Sequence, residues 1–166
     1  MKIAVCPGSF DPVTYGHLDI IRRAAFMFDQ VIVVVMTNSS KQPMFTKEER
    51  MDFLRRAASG LTNVAIDSYG GLLAEYARIK KAAVIVKGLR AMSDFEYEFQ
   101  MALTNRKLNP DTETVFLTTT SDHMYLSSSL VKQVAELGGD ITGFVPDCIM
   151  PDILHKIRKD DSNDGR

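Results

Sequence analysis

Residues 2–37, KIAVCPGSFDPVTYGHLDIIRRAAFMFDQVIVVVMT, decide the fold, because they read as one strand, loop, helix and strand in succession. Residues 2–6 are apolar after Lys2 and stop at Pro7-Gly8. Leu18, Ile21, Ala25 and Phe28 then recur at helical spacing. Residues 30–37 return to a Val-rich run without strict alternation, the pattern of a parallel strand buried on both faces. Strand, crossover helix and strand in this order predict parallel pairing.

The same alternation continues outward. Residues 63–67, 82–87 and 114–118 are further strand-like runs. Thr46-Lys47-Glu48-Glu49 has capping-box spacing and opens a second helix with Met51, Phe53 and Leu54. A third helix groups Leu72, Leu73, Tyr76 and Ala77. A fourth opens at the box-like Ser93-Asp94-Phe95-Glu96 and carries Phe95, Phe99, Ala102 and Leu103 on one stripe. A fifth begins near Ser127, Ser128 and Ser129 and stops at Gly138-Gly139; a last follows Pro146 with Ile149, Ile153, Leu154 and Ile157. The fold class expected is α/β, an open doubly wound parallel sheet of about five strands. Residues 1–158 are expected to form a single domain, and the polar 159–166 a disordered tail.

Composition narrows the function classes. With 166 residues and 45% hydrophobic content, the chain can bury a full core without disulfides or metal. A net charge of −1 argues against a generic nucleic-acid binder but leaves room for a local basic pocket. Cys6 and Cys148 stand far apart, with no zinc-ligand spacing, and are read as reduced packing residues. No apolar run approaches the length of about 18 residues that a membrane span needs. No signal-peptide core precedes Pro7, so the expected location is cytoplasmic.

In an open parallel sheet, ligands bind beyond the carboxyl ends of the strands. Here those ends carry Gly8-Ser9-Phe10 through Gly16-His17, Asn38-Ser39-Ser40-Lys41, Lys87-Gly88-Leu89-Arg90, and Thr119-Thr120-Ser121 followed by the three serines. Glycines, hydroxyls and cations at every end suit a polyphosphate ligand, since backbone N–H groups and helix N-termini favour negative charge. Neither GxGxxG nor GxxxxGK[ST] is present, which disfavours an ordinary dinucleotide site and a P-loop.

Thr14-Tyr15-Gly16-His17 resembles the (T/H)xGH signature of the nucleotidyltransferase superfamily. With Lys87-Gly88-Leu89-Arg90-Ala91-Met92-Ser93-Asp94-Phe95-Glu96-Tyr97-Glu98 and Leu126-Ser127-Ser128-Ser129-Leu130-Val131-Lys132, the chain resembles the bacterial phosphopantetheine adenylyltransferase family over residues 2 to about 157. The resemblance implies a Rossmann-like nucleotidyltransferase fold and transfer of AMP from ATP to 4′-phosphopantetheine. It also implies Mg²⁺ carried on the ATP phosphates with no metal ligand from protein side chains, a cytoplasmic homohexamer, and no nucleic-acid or membrane partner.

Residue by residue, the resemblance implies His17 as transition-state stabiliser, with Ser9 and Lys41 on the reacting phosphates. It assigns Ser9, Phe10, His17, Gly88, Leu89, Arg90, Glu98, His123, Met124, Tyr125, Leu126, Ser127, Ser128 and Ser129 to ATP. Ser9, Lys41, Leu73 and Lys87 fall on the phosphopantetheine side. Each has a plainer reading: His17 as a packing residue, Lys41 and Arg90 as solvated cations, Leu73 as core, the serines as helix caps. Gly16 is expected to let a triphosphate approach the helix N-terminus. Asp94 and Glu96 are read as first-turn residues that complement the helix dipole. Lys87 departs from the family pattern, which usually has arginine there; lysine keeps the charge but not the planar fork. Two other readings stay open: a related nucleotidyltransferase with a different acceptor, and a non-catalytic nucleotide-binding regulator.

Overall fold

The computed structural model describes residues 1–37 and 42–164, with side chains for all of these except Met92, Ser93 and 160–164. Five parallel strands form one sheet: β1 (Ile3–Gly8), β2 (Gln30–Met36), β3 (Val64–Tyr69), β4 (Val84–Leu89) and β5 (Glu113–Thr118), in the order β3-β2-β1-β4-β5. Between and after them run α1 (Tyr15–Met27), α2 (Lys47–Ala57), α3 (Leu73–Ile79), α4 (Met92–Leu108), α5 (Ser128–Glu136) and α6 (Met150–Asp164). The expected open, doubly wound α/β sheet is therefore present, and all five predicted strands are found.

Strand alternation divides the core. Ala4, Cys6, Val31, Val33 and Val35 point to the side covered by α1, α2, α5 and α6, where Leu54, Val131, Ile149 and Ile153 are fully buried. Val5, Ile32, Val34 and Ile85 point to the opposite side, under Tyr76 and Ala77 of α3. Both faces of the central strands are thus dry, as the unbroken Val/Ile runs require.

Strands β1, β3 and β4 run two residues further toward their carboxyl ends than the sequence suggests, and β1 includes Pro7 and Gly8. Pairing with β2 continues to Gly8↔Val35, whereas pairing with β4 covers only Ala4↔Val84 and Val5↔Ile85. Beyond Val5 the β1 and β4 chains are no longer bonded to each other, and a crevice opens at the switch in strand order.

The capping box of α2 is present, with Thr46 Oγ1 accepting from Glu49 N and Glu49 Oε2 from Thr46 N. The box expected for α4 is not: its N-cap is Ala91, without a side-chain cap bond. Asp94 instead turns its carboxylate toward Arg90 Nε at 3.4 Å. The expected α4 stripe is also only partly covered. Phe95 meets Phe116 edge-on at 6.0 Å, but Phe99 and Leu103 are exposed. Helix α6 continues through Asp164, although the polar composition of 159–166 predicts loss of regular structure. Extending an existing helix adds one bond per residue fixed, which costs far less than starting one.

Candidate active site

The crevice between β1 and β4 widens into a cavity of about 470 Å³. Its walls come from the carboxyl ends of both strands, Cys6 to Phe10 on one side and Val86, Lys87 and Gly88 on the other. The N-termini of α1 and α5 close it with Thr14, Gly16, His17, Ser127, Ser128 and Ser129. Two helix N-termini, with their dipoles aimed at the cavity beside two cations, make an arrangement that favours an anion.

His17 is the third residue of α1 and takes part in its cap. Thr14 N donates to His17 Nδ1 at 3.0 Å, and Thr14 Oγ1 accepts from His17 N at 3.3 Å. This is a capping box with histidine where glutamate or glutamine usually stands. A backbone amide can only donate, so Nδ1 is unprotonated and the neutral ring carries its hydrogen on Nε2. Burial, and then the neighbouring Arg90 and Lys87 cations, push the His17 pKa down from 6.5 to about 4. The ring is a neutral donor at pH 7. Phe10 holds it from the side, edge-on at 5.1 Å.

Lys87 and Arg90 line the far wall, each facing a carboxylate. Lys87 Nζ lies 3.2 Å from Glu98 Oε2, and Arg90 pairs with Asp94 while donating from Nη1 to Leu126 O at 3.1 Å. All four residues line the cavity. Asp94 lies in the first turn of α4, as a dipole-complementing residue would, and in addition faces the Arg90 guanidinium across the cavity wall. Gly88 lies between the cations. A Cβ there would come within 2.9 Å of Ile20 Cγ1, so only glycine lets α1 pack this close to β4.

The serine loop divides its hydroxyls. Ser127 Oγ caps α5 by accepting from Leu130 N at 3.0 Å, and Ser128 Oγ donates to Pro12 O at 2.7 Å. Ser129 is exposed at the cavity. Cys6 also lines the cavity, but burial pushes its thiol up to about 12 against the opposing pull of Lys87, leaving it an inert wall.

Of the residues expected at the site, Ser9, Phe10, His17, Lys87, Gly88, Arg90, Glu98, Leu126, Ser127, Ser128 and Ser129 come together here. Lys41 and its neighbours Asn38, Ser39 and Ser40 lie outside the described residues. Leu89, Leu73, His123, Met124 and Tyr125 do not line this cavity. Leu73 packs against the core under α3. His123 bonds Thr120 Oγ1 at 3.0 Å and stacks near Tyr15, while Met124 and Tyr125 are largely exposed. Gly16 lies beside that turn: a Cβ on it would make ordinary contact with His123 Cβ at 3.7 Å, so close packing with the turn, as well as ligand approach, bears on this position.

Sequence reasoning missed Thr14, whose spacing to His17 is that of a capping box and could have been read as one. It also missed the buried Asp11 and Arg50. Arg50 donates from Nη1 to Ser9 O at 2.9 Å and from Nε to Thr46 O at 3.3 Å, bonds that no local pattern announces.

Among solved structures, a putative nicotinate-nucleotide adenylyltransferase from Vibrio parahaemolyticus is similar, with a TM-score of 0.67 at 19% identity over 94% of this chain and 96% of that one. The cytidylyltransferase-like family model matches residues 5–134. The phosphopantetheine adenylyltransferase of Caldanaerobacter subterraneus is 52% identical over 96% of this chain and 99% of its own length. That of Alkaliphilus metalliredigens is 56% identical over 90% and 96%. The fold likeness and the identity along nearly the whole of both chains lead to one conclusion: this chain belongs to the phosphopantetheine adenylyltransferase family.

Proposed function

We propose that the protein transfers AMP from ATP to 4′-phosphopantetheine, releasing pyrophosphate and dephospho-coenzyme A, by direct in-line attack of the acceptor phosphate on the α-phosphorus. The observation that carries this reading is the neutral His17, held as an Nε2–H donor between two helix N-termini. A phosphate monoester with a second pKa near 6 is largely dianionic at pH 7 and needs no general base. His17 is poorly suited to be one: its pKa is low and Nδ1 is already bonded. It serves as a donor to a phosphate oxygen whose charge grows in the transition state.

Ser9 and Lys41 attend the reacting phosphates. Arg90 and the α5 N-terminus hold the leaving pyrophosphate. Because the Ser128 hydroxyl hydrogen goes to Pro12 O, its part in phosphate binding falls to its backbone N–H. Phe10, Gly88, Leu89, Glu98, His123, Met124, Tyr125 and Leu126 belong to the nucleotide side; Leu73 and Lys87 belong to the acceptor side. The cavity carboxylates Asp94 and Glu98 already face cations, and no cluster of three or more metal-ligating side chains occurs among the described residues. That donor set suits Mg²⁺ held mainly by ATP phosphates, the usual mode for this ion. When bound, it neutralises phosphate charge.

We place the enzyme in the cytoplasm as a homohexamer without nucleic-acid or membrane partners. No described helix is long and apolar enough to cross a membrane. Tyr97, Phe99, Leu103 and Leu108 leave α4 with an exposed apolar surface that a second copy would cover. Light scattering at working concentration checks the assembly, and a monomeric mass would exclude it. For the reaction, pyrophosphate release with ATP, Mg²⁺ and phosphopantetheine is the expected result. Use of chirally labelled ATP should show inversion at the α-phosphorus; retention would rule out single in-line displacement.

A further inference from the structure

Between β1 and α1 the chain is fastened from three other elements at once. Ser9 O accepts from Arg50 on α2, and Pro12 O accepts from Ser128 on α5. Between them lies Asp11, only 5% exposed, whose carboxylate takes three donors. Oδ1 accepts from Phe45 N at 2.9 Å; Oδ2 accepts from Met44 N at 3.0 Å and from Lys132 Nζ at 2.9 Å. Met44 and Phe45 belong to the segment that follows β2 and enters α2. Ser128 and Lys132 stand four residues apart, hence on one face of α5. Neither Asp11 nor Lys132 is among the residues that line the cavity.

We propose that Asp11 is a positioning residue, with Lys132 as its partner, that fixes the spacing between the β1–α1 loop, the segment after β2 and the N-terminus of α5. Each of these pieces carries or leads into groups assigned above to the substrates: Ser9 on the first, with His17 in the helix it enters, Lys41 in sequence just upstream of Met44 on the second, the serines on the third. A buried carboxylate is stable only when its acceptor sites are met by donors. Here the donors come from two separate pieces of chain, so satisfying the charge also fixes their mutual distance. Asparagine cannot replace it without turning an N–H₂ toward one of the three donors. A displacement of about 1 Å at a reacting group can cost on the order of 10²-fold in rate. The role of Asp11 is to prevent that displacement without touching substrate.

The inference rests on the adenylyl-transfer reading, and turnover by the unmodified enzyme tests that reading separately. Steady-state kinetics with ATP and phosphopantetheine are compared for Lys132→Met, Lys132→Arg, Asp11→Asn and the double variant Asp11→Asn/Lys132→Met. Lys132→Met keeps the packed stem of a side chain that is 25% exposed and leaves Asp11 its two backbone donors, and the folded fraction of each variant is measured with its rates. Its kcat should fall by about 10–100-fold while both KM values move by less than about threefold, and Lys132→Arg should recover most of the loss. Asp11→Asn should lose at least as much, with the double variant no worse than it, as expected of two residues acting as a unit. The proposal is overturned if Lys132→Met matches the parent, if its loss is confined to the KM for ATP, or if the two single losses multiply. It is equally overturned if only the thermal midpoint falls while kcat per folded molecule is kept.

Discussion

The two walls of the cavity are built on opposite principles. The β1–α1 wall is held by hydrogen bonds from distant parts of the chain, Arg50 to Ser9, Lys132 to Asp11 and Ser128 to Pro12, and locally by Thr14 to His17 within the cap. Arg50, Asp11, Pro12 and Thr14 are buried, and Phe10 is kept at φ +48, a backbone conformation that non-glycine residues rarely adopt. The β4–α4 wall is held chiefly by two ion pairs, Lys87–Glu98 and Arg90–Asp94, whose side chains are between 20% and 41% exposed. Exposed pairs of this kind contribute little to stability and exchange partners readily. One wall is set before substrate arrives. The other holds its cations on carboxylates that, in the proposed reaction, incoming phosphates would replace.

Substitutions on the two walls should therefore fail in different ways. His17→Ala should lower kcat by roughly 10²–10³ with a smaller effect on ATP affinity, because the lost bond strengthens in the transition state. An equal loss of affinity with kcat unchanged would reduce His17 to a binding group and erase the distinction.

The preset wall should also show in stability. His17 has a folded-state pKa of about 4 against 6.5 for the free side chain. Protons therefore favour the unfolded chain between those values. The contribution is complete above about pH 6.5 and is lost as the pH falls toward 4. Between pH 7 and pH 5 the parent should lose on the order of 1–2 kcal/mol more than His17→Asn does. Denaturant titrations at the two pH values test this, and parallel losses in the two proteins would mean that His17 is not held neutral by the fold.

On the exchangeable wall, Lys87→Ala should raise the KM for phosphopantetheine about tenfold and lower kcat, leaving ATP affinity nearly intact; Lys87→Arg should be tolerated. If the alanine variant retains the parent's acceptor KM and kcat, Lys87 serves only Glu98. The smallest effect is expected from Thr46→Ala, which removes an exposed cap from the helix that carries Arg50. It should cost about 1 kcal/mol of stability without altering turnover, since Arg50 bonds the Thr46 carbonyl and not its side chain. A kinetic defect there would show that the preset wall extends as far as the N-cap of α2.

Much of this architecture can be read locally. Strands such as 31–35 declare burial on both faces through unbroken Val and Ile, and Thr46-x-x-Glu49 declares the start of α2. The strand ends bearing Ser9, Lys87, Arg90 and the three serines follow from the fold class once the strands are found. What escaped local reading depends on tertiary distance. Asp11 and Lys132 are far apart in sequence, and a buried arginine bonded to carbonyl oxygens looks like any helix arginine. The start of α4 departs from the box-like Ser93-Asp94-Phe95-Glu96 pattern because Ala91 is the N-cap; Asp94 does lie in the first turn, and it also faces Arg90. Thr14-x-x-His17 was missed as a cap because histidine stands where the pattern expects glutamate or glutamine.

The bare backbone at Gly88 acts as a spacer of zero thickness between the preset and the exchangeable wall. Ile20 presses on it from α1 one helical turn beyond His17, and Arg90 follows it by two residues, just past the end of β4. The reach from His17 to Arg90 is thus gauged by the absence of a methyl group. Adding one would act as a shim, levering the histidine-bearing helix off the sheet and lengthening the gap that a triphosphate would have to bridge in the proposed reaction.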